Sequence, residues 1–236
     1  MVSSFLFILK NKLRKLGIQK LKYFIYSKYS MELAFQNEWL NEFIQNKDKV
    51  LNYWKKYRYL DYIIKICNIT QDSKVLDVGC GVSSVLHFVD GKRYGVDPLA
   101  DEYLKLYKYP KGIKVKKGFS EFLPFPNLYF DVIFCSNVLD HVTNPKKTIN
   151  EISRVLKKEG YFVLTVEIFK SKIKRDPAHP NSFLLKDVLD LLKNKFTTIF
   201  EGSSDWIGLR RFVKGVTQSS NTELIIIAKK AELLEK

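Results

Sequence analysis

The run Lys74-Val75-Leu76-Asp77-Val78-Gly79-Cys80-Gly81-Val82-Ser83-Ser84 leaves few folds open to this chain. Val75, Leu76 and Val78 form a short apolar run, as a parallel strand covered on both faces requires. Gly79 and Gly81 lack a Cβ, so the backbone can turn tightly and a ligand can approach it closely. Ser83 and Ser84 then open a helical pattern, read as a helix over 83–89, whose first N–H groups point back at the turn.

A dinucleotide site would want G-x-G-x-x-G, with its third glycine for close helix packing. Ser84 occupies that position, and an acid, Asp77, ends the strand instead. Arg93-Tyr94-Gly95-Val96-Asp97-Pro98 is a second short strand closing on an acid, 20 positions beyond Asp77. A carboxylate there can accept from both hydroxyls of a ribose. Further on, a Leu123-Pro124-Phe125 loop leads into Phe130-Asp131-Val132, a strand, and the turn Leu139-Asp140-His141-Val142. Leu156 to Leu164 read as a helix stopped by Gly160 at its C′ position and followed by another strand.

These four pieces, in this order, resemble the class I S-adenosylmethionine-dependent methyltransferases, and within them the type-11 methyltransferase domain; the likeness runs over residues 72–168. It implies S-adenosylmethionine as cofactor, with Gly79 and Gly81 against its methionine part and Asp77 holding the turn or a water near its amine. The cofactor-binding set it implies is Asp77, Gly79, Cys80, Gly81, Asp97, Pro98, Phe119, Ser120, Ser136 and Asn137. Asp97 would take the ribose, Phe119 and Ser120 would flank the adenine, and Ser136 and Asn137 would line the methyl and carboxylate. Many relatives carry an acid where this chain has Phe119, so a ring contact would replace an acceptor there.

Periodicity over the same region alternates strand and helix: strands at 74–79, 92–97, 113–117, 131–136 and 160–167, helices at 83–89, 100–107 and 146–157, then a helix at 183–194 and strands at 196–202 and 222–229. That is an α/β fold, a doubly wound, mostly parallel seven-stranded sheet, with an N-terminal helical extension. The resemblance adds that the last strand runs antiparallel beside the sixth. Residues 1–70 are read as the helical lid or extension and 71–236 as the cofactor-binding domain. Helical stripes fall at 31–45 (Phe35, Trp39, Phe43) and 49–67 (Val50, Trp54, Tyr57, Leu60, Ile64) and are expected in the core.

The net charge of +15, from 40 basic and 25 acidic residues, favours anionic partners, although a Lys-, Asn- and Ile-rich composition arises without selection at any site. Residues 5–28 are basic with apolar residues at helical spacing, which suits either peripheral contact with an anionic membrane or a face laid on the domain. No run is long enough to span a membrane, and no signal-peptide pattern is visible. Three cysteines, Cys67, Cys80 and Cys135, share no metal or redox spacing and read as reduced thiols in a cytoplasmic protein.

A hydroxyl acceptor must lose a proton, and His141 is the candidate base, with Asp140 to orient it. Glu167 and His179 follow as further candidates, and no spacing of two histidines and a carboxylate points to a metal. Lys170 to Arg175 and Arg210, Arg211 and Lys214 place positive charge at the expected rim, with Trp206 and Phe212 beside it. A small-molecule or glycan acceptor, including an anionic one, fits these features. The proline-rich turn of base-amino methyltransferases is absent after the fourth strand, as is a Pro-Cys nucleophile, so nucleic acid is disfavoured. RNA- or protein-directed methyl transfer and a non-catalytic cofactor-binding subunit remain the alternative classes.

Overall fold

Strand β1 (Lys74–Val78) is paired in parallel on both sides, with β2 (Lys92–Asp97) and β4 (Phe130–Ser136). This computed structural model describes residues 18–204 and 222–231, with side chains from Lys28. Its seven strands run in the order β3-β2-β1-β4-β5-β7-β6, where β3 is Ile113–Lys117, β5 Leu156–Ile168, β6 Phe196–Ser204 and β7 Thr222–Lys230. β7 pairs antiparallel with both β5 and β6. The strand order reverses at β1–β4, which places the crevice of the sheet above the carboxyl ends of those strands.

Period-two alternation divides the core between the two faces of the sheet. Leu76, Val78, Ile133 and Cys135 share one cluster with helices α5 (Pro145–Val155) and α6 (Leu185–Leu192). Val75, Val132 and Phe134 share the other with α1 (Ile18–Gln45), α2 (Lys47–Tyr57), α3 (Leu60–Ile66) and α4 (Ala100–Leu106), through Trp39, Phe43, Trp54, Leu60, Ile63 and Tyr103. The N-terminal helices thus complete one wall of the core. The edge strand β3 is half exposed and carries Lys114, Lys116 and Lys117, charges that discourage pairing with another chain.

Four expectations are corrected. The helix read over 83–89 is a single 3-10 turn, Val85–His87, with Ser84 capping its start by accepting from Leu86 N at 3.1 Å. The pattern over 31–45 belongs to a longer helix that already runs from Ile18. The stripe over 49–67 is two helices, broken where Tyr59 adopts a left-handed φ of 57° beside the buried Arg58. Gly160 is no helix stop: α5 ends at Val155, Glu159 takes the positive φ of 60°, and Gly160 lies inside β5. A Cβ on Gly160 would sit 2.9 Å from Leu156 Cδ1, so glycine is needed for the close approach where the β4–β5 register shifts.

Residues 5–17 of the basic N-terminal stretch, and Trp206, Arg210, Arg211, Phe212 and Lys214, lie outside the described residues. Among the described residues no helix is long and apolar enough to cross a membrane.

Candidate active site

The glycine turn is shaped by what presses on it. Gly79 and Gly81 have φ of 69° and 49°, and a Cβ on Gly79 would lie 2.3 Å from Val138 Cγ2. The N–H of Gly79 donates to Val96 O at 2.7 Å, tying the turn to β2. At the tip of β2, Asp97 Oδ2 accepts from Gly81 N at 3.1 Å and Oδ1 from Leu99 N at 2.8 Å. Each oxygen keeps a lone pair, since a carboxylate offers about four acceptor sites. Burial pushes the Asp97 carboxyl up to about 6, against the two backbone donors that pull it down.

Asp77 is buried too, and burial pushes it up to about 7. Ser84 Oγ donates to its Oδ2 at 2.7 Å, while Oδ1 is buried with no partner. Ser136 Oγ, at the end of β4, is likewise buried and unpaired. Asn137 turns through a φ of 54°, its N–H donating to Thr165 O at 2.9 Å. Unpaired buried polar atoms cost free energy unless a ligand or water meets them.

Asp77, Gly79, Gly81, Ser84, Asp97, Ser136 and Asn137 all border one cavity of about 1020 Å³. Pro98, Phe119 and Ser120 lie along it; Phe119 is 45% exposed, and Ser120 Oγ lies 2.9 Å from Thr148 Oγ1. Cys80 borders the cavity as well. Its Sγ packs toward Gly95, where a Cβ would come within 2.8 Å, and burial pushes the thiol well up.

At the far end the fold assembles a cluster that spacing alone did not announce. His141 and His179 meet with ring centroids 4.3 Å apart and planes tilted by 49°, and Asp140 Oδ1 lies 3.9 Å from His141 Nε2. That is too far for the hydrogen bond expected of an orienting acid. Asp140 is instead tied to Arg175, whose Nη1 donates to Oδ2 at 2.9 Å, and Arg175 Nη2 donates to Glu167 at 3.0 Å. Arg175 is therefore an enclosed counter-ion and not free charge on the rim. Lys172 is also engaged, with Asp187.

Three contributors went unread in the sequence. Lys28, Glu32 and Gln36, four residues apart on α1, all face the cavity. Lys28 donates to the His141 carbonyl, Glu32 Oε2 lies 4.0 Å from His141 Nδ1, and Gln36 Oε1 accepts from Val82 N at 3.2 Å. Their i, i+4, i+8 spacing was a visible signal. A buried pair between Arg58 Nη2 and Glu223 Oε1 at 2.5 Å, joined by Tyr53 Oη at 2.9 Å, also borders the cavity and links residues too distant in the chain to be paired from sequence. Among the described residues the cavity lining holds seven carboxylates against four Lys or Arg side chains.

Residues 76–164 match the family model described as a methyltransferase domain. An uncharacterized methyltransferase, YcgJ of Bacillus subtilis, is 32% identical over 113 residues, covering 44% of this chain and 45% of that protein. The ubiquinone biosynthesis O-methyltransferase of Yersinia enterocolitica is 29% identical over 127 residues, 50% of this chain and 49% of that one. The chain thus spans about half the length of these curated relatives. The fold resembles that of geranyl diphosphate C-methyltransferase from Streptomyces coelicolor, solved with Mg2+, geranyl diphosphate and S-adenosyl-L-homocysteine. The TM-score is 0.59 at 16% identity, covering 72% of this chain and 78% of that structure.

Proposed function

We propose that this chain, whose residues 76–164 form a class I S-adenosylmethionine-dependent methyltransferase domain, transfers a methyl group to an oxygen of a small-molecule or glycan acceptor. The observation that carries the reading is a bare glycine turn beside two buried, unpaired polar atoms, Asp77 Oδ1 and Ser136 Oγ, opening on one large cavity. That arrangement fits the polar amino-acid end of the cofactor. When bound, S-adenosylmethionine supplies a methyl already activated by positive charge on sulfur.

The chain's own residues bind, align and deprotonate. Gly79 and Gly81 leave room for close approach, and Asp97 keeps lone pairs for the ribose hydroxyls. Phe119 and Ser120 border the adenine end, and Asn137 shapes the turn beside the methyl. His141 takes the acceptor's proton at its imidazole, while Asp140, fixed by Arg175, contributes negative charge rather than a hydrogen bond. Helix α1 serves as a cover whose Lys28, Glu32 and Gln36 meet both ends of the cavity.

The acid excess among the described lining residues favours a neutral acceptor over an anionic one, and disfavours nucleic acid. The curated relative acts at oxygen by name and the structural neighbour at carbon, so the assignment to oxygen rests on His141.

The test is transfer of tritiated methyl into a fractionated lysate, resolved into lipid, glycan, RNA, protein and small-molecule pools. Label is expected in the glycan or small-molecule pool, and label confined to RNA or protein would overturn the acceptor class. Asp97→Ala should abolish cofactor binding by calorimetry. His141→Ala should bind normally and turn over about 10²–10⁴-fold more slowly.

A further inference from the structure

We infer that Asp140, His141 and His179 form a binding site for one divalent first-row transition cation of the zinc or manganese kind, placed at the acceptor end of the cavity. The catalytic use of such an ion rests on the reading above; its binding does not. One ligating atom from each of the three residues lies within 4.8 Å of the other two. Small side-chain rotations bring such a triad to the spacing of about 3.3 Å that tetrahedral bonds of about 2.0–2.1 Å need.

Three independent features prepare the site. Asp140 is 3% exposed, and its Oδ1 has no hydrogen-bond partner while Oδ2 is fixed by Arg175. A desolvated carboxylate oxygen with nothing to meet is what a cation would relieve. His179 Nδ1 sits 2.9 and 3.0 Å from the two oxygens of Asp176, which assigns the proton to Nδ1 and leaves the Nε2 lone pair for a metal. His141 presents Nε2 toward Asp140, 3.9 Å away, with the Glu32 carboxylate 4.0 Å from Nδ1, a charge contact and not a hydrogen bond. Among the described residues, the positive groups Arg175 and Lys28 beside the cluster are already engaged, Arg175 by Asp140 and Glu167, and Lys28 by the His141 carbonyl.

Two imidazoles and one carboxylate suit zinc, manganese, iron or cobalt and not magnesium, which prefers an all-oxygen shell. Three protein ligands leave positions open toward the cavity, the pattern of a catalytic rather than a structural site. There a cation would polarise an acceptor hydroxyl, so that its O–H bond breaks, the proton passes to water and the electron pair stays on oxygen. Without the ion His141 takes that proton, as proposed above; with the ion bound His141 is a ligand and water takes the proton.

The experiment is calorimetric titration of the chelator-treated full chain with zinc chloride, with cobalt(II) absorption as a second reading and magnesium as the contrast. One equivalent of zinc should bind and magnesium should not. His141→Ala and His179→Ala should each weaken zinc at least tenfold, and Asp176→Asn by about 10–100-fold. S-adenosylmethionine titration of every variant reports folding, and the partly exposed His179, replaced as His179→Gln, serves if His141→Ala fails that control. No zinc binding by the wild type, or unchanged binding in the His141→Ala/His179→Ala double variant, overturns the site. Wild type that binds zinc but not S-adenosylmethionine would sink the methyltransferase reading and keep the cation; the reverse would do the opposite.

Discussion

At the scale of single residues, the site depends on places where a side chain must be absent or a polar atom must stay unpaired. Gly79 shows the first case. Its φ of 69° costs a side-chain-bearing residue about 1–2 kcal/mol, and the added Cβ would meet Val138 Cγ2 at 2.3 Å. Gly79→Ala should therefore lose stability and cofactor affinity together, while Gly79→Ala/Val138→Ala should recover only the part due to the clash. Denaturant midpoints and calorimetry separate the two, and full recovery in the double variant would show the backbone to be unstrained. Gly79 was legible in the sequence because a turn motif demands it. Gly160 was misread, because its reason is close contact with Leu156 of its own strand and with the Asp131 carbonyl on the neighbouring β4.

Among elements, the junction of α2 and α3 is fastened to β7 by one buried ion pair. Arg58 and Glu223 are 7% and 5% exposed, and the guanidinium also lies over the rings of Tyr53 and Trp54. Arg58→Met should cost about 3–5 kcal/mol, because it strands a buried carboxylate, whereas Arg58→Met/Glu223→Leu should restore most of that loss. A urea-melt double-mutant cycle measures it; equal losses in the single and double variants would refute the account. The helical stripe over 49–67 was readable, but its break was not. Tyr59 leaves the helix where Arg58 reaches a partner 165 residues further along the chain, and no local propensity encodes that.

For the whole molecule, stability and binding should respond oppositely to pH. Burial raises Asp77 to about 7 and Asp97 to about 6, so the folded chain keeps protons that the unfolded chain releases near pH 4. Their contribution is full below about pH 4 and lost as pH rises through 6 and 7. His87, pushed down to about 4 by burial, works in the opposite sense between pH 6.5 and 4. The carboxylate effect is therefore read by difference: Asp77→Asn should gain stability over wild type at pH 8 and lose that gain at pH 4. Affinity for S-adenosylmethionine should fall about tenfold per pH unit below 6, as Asp97 takes up its proton. Flat affinity from pH 5 to 8 would refute the assignment of Asp97.

The amino-acid order by itself determined the alternation of strand and helix, the bare turn after β1 and the acid closing β2, because each follows from local periodicity or a backbone requirement. Only the tertiary structure decided that His141 and His179 meet beside Asp140, that Arg175 is spent on two carboxylates, and that acids outnumber bases among the described residues lining the cavity. These outcomes depend on which loops the sheet order brings above the same strand ends. Charge, unlike hydrophobic period, carries no record in sequence of what it will face.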